Sequence, residues 1–209
     1  MRIKKKKWTR PYLEENQDKV VLTPVFTYEI DSRKTNILEI GTGKGSFIVN
    51  MAKRYPHFDF YGIEKNADVL ALALRKVFEL DESHNIFLMR ADMGEAKETM
   101  KDEIFDYIFI SHPDPWPKKK HGKRRLLHPN FLSAYFRILK PNGRLFFKTD
   151  DDALFEISLE YVKEFEKFGL ISCERDYINR GEFDYQTEYE TRFRSDGVKI
   201  KRLILQKEE

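Results

Sequence analysis

The sequence predicts an α/β protein: a mostly parallel seven-stranded sheet, helices on both faces, and an antiparallel strand pair near the C-terminus. Three observations carry this. From about residue 36 onward, short apolar runs alternate with longer amphipathic stretches, the pattern of βαβ units. Gly41, Gly43 and Gly45 follow the first apolar run, where a strand must turn sharply into a helix. The last two apolar runs have no clear helix between them, and strands without a crossover pair antiparallel.

The first strand is 37–40, Ile37-Leu38-Glu39-Ile40, ended by Gly41. Residues 47–54 form a helix, stopped at Tyr55-Pro56. A strand over 58–64 follows, then a helix over 67–80 with Val69, Leu70, Leu72, Ala73, Val77 and Leu80 on its apolar side. Residues 86–89 and 105–110 are strands. The helix over 129–140 is stopped by Pro141-Asn142-Gly143, and a strand over 145–148 follows. Residues 152–168 form a long helix with Gly169 as its C-cap. Strands over 170–173 and 199–206 close the chain, with a polar insertion between them. Residues 1–35 are expected to be a basic tail with an accessory helix, and residues 36–209 one domain, a size ordinary for a single fold.

Of the 209 residues, 41% are hydrophobic and 14% aromatic, enough for a core. The charged fraction, 35%, exceeds the usual ~25%, which suits a nucleic-acid partner or a heat-adapted surface. The net charge of +3 is small, so its distribution matters more. Arg2, Lys4, Lys5, Lys6, Lys7 and Arg10 form one cluster and the run 118–125 another, both able to meet phosphates. The first reads equally well as a solvated tail. Cys173, the one cysteine, excludes an intrachain disulfide and fits a reducing compartment; in a strand it reads as core. No apolar run follows the basic start, and none approaches a membrane span. The expectation is a cytoplasmic protein without membrane contact. His57, His84, His112, His121 and His128 lack ligand spacing, so no metal is expected.

The most informative stretch is Ser111-His112-Pro113-Asp114-Pro115-Trp116-Pro117-Lys118, continuing through Lys123-Arg124-Arg125. Prolines stop the preceding strand and stiffen the loop. Ligands of open α/β sheets bind at strand C-terminal ends. A carboxylate, a flat indole and clustered cations together suit a nucleobase and its phosphates. Trp116 reads as a base-stacking face or as an indole packed under the loop.

Glycines at 41, 43 and 45 permit a tight turn and close approach of a ligand. Nicotinamide- and flavin-binding folds use the same device, but their last motif position wants Gly or Ala, and here it is Ser46. Glu39 precedes the glycines. A carboxylate there repels a pyrophosphate and favours a sulfonium or amino group, which tilts the reading towards S-adenosylmethionine. Glu64, ending the second strand, has two oxygens for ribose hydroxyls. Asp92, after the third, is an acceptor for an adenine amino group. Each reads alternatively as a cap or surface acid.

With these motifs in view, the chain resembles the bacterial tRNA (guanine-N7-)-methyltransferases. The resemblance runs through the glycine motif, Gly62-Ile63-Glu64, Ala91-Asp92, Pro113 to Lys118, His121, Lys123-Arg124-Arg125, Lys148-Thr149-Asp150 and Thr187-Glu188-Tyr189-Glu190-Thr191-Arg192-Phe193. It implies a Rossmann-like class I methyltransferase fold. It also implies methyl transfer from S-adenosylmethionine to N7 of guanosine 46 in the tRNA variable loop. Carried over by position, Glu39, Gly41, Gly43, Glu64, Asp92 and Asp114 are cofactor contacts, with Asp114 also catalytic. Lys118, Asp150, Thr187, Glu188, Tyr189 and Glu190 are substrate contacts, and Lys123, Arg124 and Arg125 contact tRNA phosphates. The chain is expected to act as a monomer or homodimer. Ser111-His112 stands where the family often has Asn and an aromatic residue, and Lys120 where Arg is frequent.

Three other readings compete: a nucleic-acid methyltransferase acting on an exocyclic amine, an NAD-dependent enzyme, and a non-catalytic RNA-binding module.

Overall fold

The computed structural model describes residues 6–80, 84–178, 183 and 185–208. The chain divides into two compact units, residues 1–100 and 101–209. It is α/β, as the alternation predicts.

In the first unit, helix α1 (Thr9–Glu15) precedes the two-residue strand β1 (Val20–Val21). Then come β2 (Asn36–Ile40), α2 (Ser46–Arg54), β3 (Asp59–Ile63), α3 (Ala67–Phe78), β4 (Ile86–Met89) and the short α4 (Met93–Ala96). The strands lie in the order β1-β4-β3-β2, and their pairings are parallel. Every residue of β2 and β3 is buried, as expected for strands covered on both faces. Helix α3 starts where the Asn66 side chain accepts from the Asp68 amide at 2.9 Å, and it buries Val69, Leu70, Ala73, Leu74 and Val77. The cap satisfies one orphan donor, and burial of each large aliphatic contributes ~1.5–3 kcal/mol. Strand β1 has no signature in the sequence because two valines carry no period.

In the second unit, β5 (Phe105–Ser111) leads into a 3-10 helix over Lys119–Arg124, then α5 (Pro129–Ile138) and β6 (Leu139–Thr149). Helix α6 (Asp152–Phe165), β7 (Phe168–Glu174), α7 (Glu188–Ser195) and β8 (Lys201–Lys207) follow. The order is β5-β6-β8-β7, with β5–β6 parallel and both pairings of β8 antiparallel. The antiparallel pair expected at the C-terminus is therefore β7–β8.

Four expectations are corrected here. Pro141-Asn142-Gly143 does not separate a helix from a strand. It lies inside β6, where the register against β5 jumps from Phe105↔Leu139 to Tyr107↔Arg144, a bulge that accommodates the turn residues. The long helix ends at Phe165, not at Gly169. Glu166 takes the left-handed cap conformation at φ 56°, and buried Phe168, whose ring centroid is 5.6 Å from that of Phe136, already belongs to β7. The polar insertion contains a helix, α7, whose charged composition gave no apolar stripe. Cys173 is exposed rather than core, since β7, at the end of the strand order, pairs among the described residues with β8 alone and also leaves Leu170 and Ile171 open.

Candidate active site

The glycine loop of the first unit is built from backbone geometry. Gly41, Gly43 and Gly45 have φ of 78°, 59° and 77°, a region other residues enter only at a cost. The amides of Gly41 and Thr42 both donate to the Ile63 carbonyl, at 2.8 and 3.0 Å, pinning the loop to the end of β3. A Cβ at Gly45 would lie 2.9 Å from the Cβ of Ala73 on α3. Among the described residues, a Cβ at Gly41 would meet nothing within 4 Å, so the loop is open on that side.

Two acids, Glu39 and Glu64, bond to this loop. Glu39 is 4% exposed, and its Oε2 accepts from the Thr42 hydroxyl at 3.0 Å. Burial pushes its carboxyl up to about 8; the Thr42 bond opposes the rise, and nearby Glu64 adds to it. Glu64 accepts from the Gly43 amide at 3.1 Å with Oε2 and from the Asn66 amide at 2.8 Å with Oε1. Each of its oxygens keeps a lone pair for a ligand hydroxyl. Asp92 is exposed and caps α4, accepting from the Gly94 amide at 2.8 Å.

The acidic loop of the second unit is built from side chains. Asp114 is exposed between Pro113 and Pro115, and Trp116 is held at φ 44°. Arg125 clamps the loop from beneath. Its Nε donates to the Pro115 carbonyl at 3.3 Å, and one terminal nitrogen donates to the Trp116 carbonyl at 3.0 Å. The other donates to the Tyr161 hydroxyl on α6 at 3.0 Å. This corrects the expected phosphate role of Arg125, which is 6% exposed and engaged by protein acceptors. Lys118, Lys123 and Arg124 are exposed. The Arg124 guanidinium lies 4.8 Å from the Trp116 ring centroid, with His121 edge-on at 5.6 Å, so the indole is held by cation–π contact.

The third group lies beside the ends of β5 and β6. His112 Nδ1 stands 3.0 Å from Asp150 Oδ1, and this bond holds the Asp150 carboxyl below its usual range against the effect of burial. Asp150 also lines a cavity of about 420 Å³ with Asp152, Arg175, Asp176, Lys199 and Lys201. Thr187 caps α7, accepting from the Glu190 amide at 3.1 Å. Glu190 is fully buried. Its Oε1 accepts from Arg194 at 3.2 Å, and Lys148 Nζ forms an ion pair with its Oε2 at 3.5 Å. Tyr189 of the same helix is 57% exposed. The Glu188 side chain lies outside the described residues, as do Arg2, Lys4 and Lys5.

Sequence reasoning missed Tyr177, a buried ring with the Arg202 guanidinium at 4.0 Å and Lys148 Nζ at 4.5 Å. It also left His112 without a role. Among the described residues, no group of three His, Cys, Asp or Glu is placed to hold a metal, and no helix is long and apolar enough to cross a membrane.

Comparison with known proteins decides the family. The family model "Putative methyltransferase" matches residues 33–203. A tRNA (guanine-N(7)-)-methyltransferase of Pediococcus pentosaceus is 35% identical over 209 residues, covering 97% of this chain and 98% of that protein. The chain belongs to the tRNA (guanine-N7-)-methyltransferase family. A family member from Enterococcus faecalis is 42% identical over 170 residues, covering 79% of this chain and 77% of its own. Among solved structures, TrmN from Thermus thermophilus aligns with a TM-score of 0.58 at 18% identity, over 95% of this chain and 48% of that one. A precorrin-6y C5,15-methyltransferase from Geobacter metallireducens aligns at 0.57 and 14% identity, over 98% and 90%. These two show the methyltransferase fold that the family resemblance implied.

Proposed function

We propose that this protein methylates N7 of guanosine 46 in the variable loop of tRNA, with S-adenosylmethionine as donor, forming 7-methylguanosine. The observation that carries the reading is the clamped acidic loop: an exposed carboxylate between two prolines, fixed by a buried Arg125, with exposed cations beside it. The names of the relatives, at 35–42% identity, support tRNA and guanine N7 as substrate and position. The family match over 33–203 supports reading residues 36–209 as one methyltransferase domain preceded by residues 1–35.

The residues present fit the cofactor. The open side of Gly41 gives room for close approach, and Glu64 has lone pairs for ribose hydroxyls. Glu39 gains from a nearby positive charge, because its carboxyl is otherwise held protonated by burial. Gly43 and Asp92 complete the set, the latter as an acceptor for an amino group. When bound, S-adenosylmethionine supplies an electrophilic methyl group on a sulfonium.

Guanine N7 carries a lone pair and no proton, so no base has to act before transfer. The protein's task is to hold the base in an attacking orientation. Asp114 accepts from the N1–H and N2–H₂ edge, which leaves N7 free, and offsets the positive charge of the methylated ring. Asp150 is a second acceptor. Lys118, Lys123 and Arg124 hold phosphates, and Trp116, braced by Arg124, offers a stacking face worth ~1–3 kcal/mol. Thr187 and Glu190 act by fixing α7 so that Tyr189 is presented to RNA, and Glu188 is the remaining substrate contact of that segment. The protein works in the cytoplasm, as a monomer or homodimer.

The test is incubation with unmodified tRNA transcript and methyl-labelled S-adenosylmethionine, followed by nucleoside analysis. Label in 7-methylguanosine is expected, and a transcript with A at position 46 should take up none. Label in an N-methylated exocyclic amine would replace this reading with the amino-directed alternative.

A further inference from the structure

We propose that His112 is the positioning residue of the substrate site: its ring Nδ1–H sets the Asp150 carboxylate for the guanine edge. The inference rests on the proposed base-binding role of Asp150 and adds the residue that aims it.

Strands β5 and β6 run parallel, with Ser111 paired to Lys148. Each is therefore about to leave the sheet at the same level. The His112 amide donates to the Lys148 carbonyl at 2.9 Å, and its backbone turns left-handed at φ 50°. That turn swings the imidazole to Asp150, two residues beyond Lys148, and closes the 3.0 Å contact. Asp150 is held from its main chain as well, because Lys201 Nζ donates to its carbonyl at 3.0 Å. Its side chain stays 29% exposed, so a ligand can reach it, and the residue lines the 420 Å³ cavity.

The surroundings of the ring show why imidazole matters here. The His112 side chain is 7% exposed. Its ring lies against Tyr189 and Phe193 of α7, with centroids 5.7 and 6.1 Å away. Nε2 is buried and has no hydrogen-bond partner among the described residues. A buried nitrogen without a partner is a cost that a plain aromatic ring in the same slot would avoid. Packing therefore does not call for a histidine. Among the described residues, the interaction that imidazole adds is Nδ1 to Asp150, and a carboxylate partner favours a proton on Nδ1.

The consequence for substrate binding follows from preorganisation. A carboxylate free to rotate must be ordered when a base arrives, and one already fixed does not. Losing the His112 bond should weaken tRNA binding while leaving the chemical step nearly intact once tRNA is bound.

The test has two arms on the full chain. In the first, nitrogen-15 histidine NMR of the wild type should show His112 as the Nδ1–H tautomer, and Asp150→Asn should disturb that signal. Finding the Nε2–H tautomer overturns the proposal, whatever the enzyme methylates. In the second, His112→Phe keeps a ring and removes the donor, whereas His112→Asn keeps an amide nitrogen near the Nδ1 position and tolerates the left-handed backbone. His112→Phe should raise the KM, or the filter-binding Kd, for tRNA about tenfold with kcat within about twofold, the scale of one hydrogen bond to a charged group. His112→Asn should recover most of that loss. An unchanged KM in His112→Phe, or His112→Asn as impaired as His112→Phe, overturns it. A wild type that binds tRNA but forms no 7-methylguanosine would sink the reading of the reaction, while the tautomer and the binding constants still judge the pair.

Discussion

The glycine loop and the acidic loop are made rigid by opposite means. In the first unit the loop is shaped by backbone: three residues at positive φ, two amides on the Ile63 carbonyl, and one amide on Glu64. In the second unit Pro113, Pro115 and Pro117 leave no amides for a loop to use at those positions. There a side chain takes over, with the Arg125 fork gripping two loop carbonyls and the Tyr161 hydroxyl. A backbone-shaped loop depends on having no side chain at a few positions. A side-chain-shaped loop depends on one residue, and that residue need not look special.

The contrast is broken most directly at Arg125. Arg125→Ala leaves three acceptors without their charged donor and should destabilise the protein by about 3 kcal/mol or more in urea unfolding, because the site is buried. Arg125→Lys should recover less than half of this, since an ammonium cannot reproduce the fork. Equal stability of the lysine variant and the wild type would show that charge, not geometry, holds the loop.

Asp114→Asn keeps the size of the side chain and removes its charge. Its expected effect is a decrease in kcat/KM for tRNA of about 100-fold, the scale of removing a charge-assisted interaction from the transition state. Near-full transfer at saturating tRNA would remove Asp114 from its proposed role.

On the glycine side the sharper probe is pH. The Glu39 carboxyl is raised to about 8 by burial, so the folded protein keeps a proton that the unfolded chain has already lost. Stability should therefore fall as pH rises from about 4.5 to about 8, by at most ~1.4 kcal/mol per pH unit. Glu39→Gln, neutral throughout, should flatten that part of the profile in thermal melts across pH 5 to 9. An identical slope in both proteins would refute the buried protonated acid.

The smallest effect is expected at the exposed cations. Lys123→Ala with Arg124→Ala should leave stability within about 0.5 kcal/mol. It should reduce the slope of log K against log salt for tRNA by about 1.5, roughly 0.7–0.9 for each phosphate that is no longer neutralised. A full salt slope in the double variant would place the RNA elsewhere.

What could be read beforehand divides along the same line. Strands β2, β3 and β4 and the glycine turn of the first unit were legible because buried parallel strands are continuous apolar runs, and because positive φ demands glycine where Gly41, Gly43 and Gly45 stand. Glu39 and Glu64 were legible by position at strand ends. That Glu39 is buried and bonded to Thr42 was not, since burial depends on α2 and β3 as well as its own strand. In the second unit, Arg125 looked like its neighbours Lys123 and Arg124 in a basic run. Only the 3-10 helix over Lys119–Arg124 decides which of these cations turn outward and which turns in. Helix α7 was missed because its stability comes from a Thr187 cap and the buried Glu190 between Lys148 and Arg194, interactions with no hydrophobic period. His112 lay in plain sight, yet its partner is 38 residues away and meets it only because β5 and β6 pair in parallel.

Local chemistry alone was enough to settle the α/β class, the glycine turn, the stiff Pro113–Pro117 loop and the residues that resemble a methyltransferase. Each of these is a property of neighbours in the chain, and short-range sterics and hydrophobic periodicity are written there directly. Tertiary structure decided the rest: which arginine is a clamp, which glutamate is buried, and which histidine meets an aspartate. Those outcomes depend on partners supplied by other strands and helices, and no local pattern records where a distant side chain will stand.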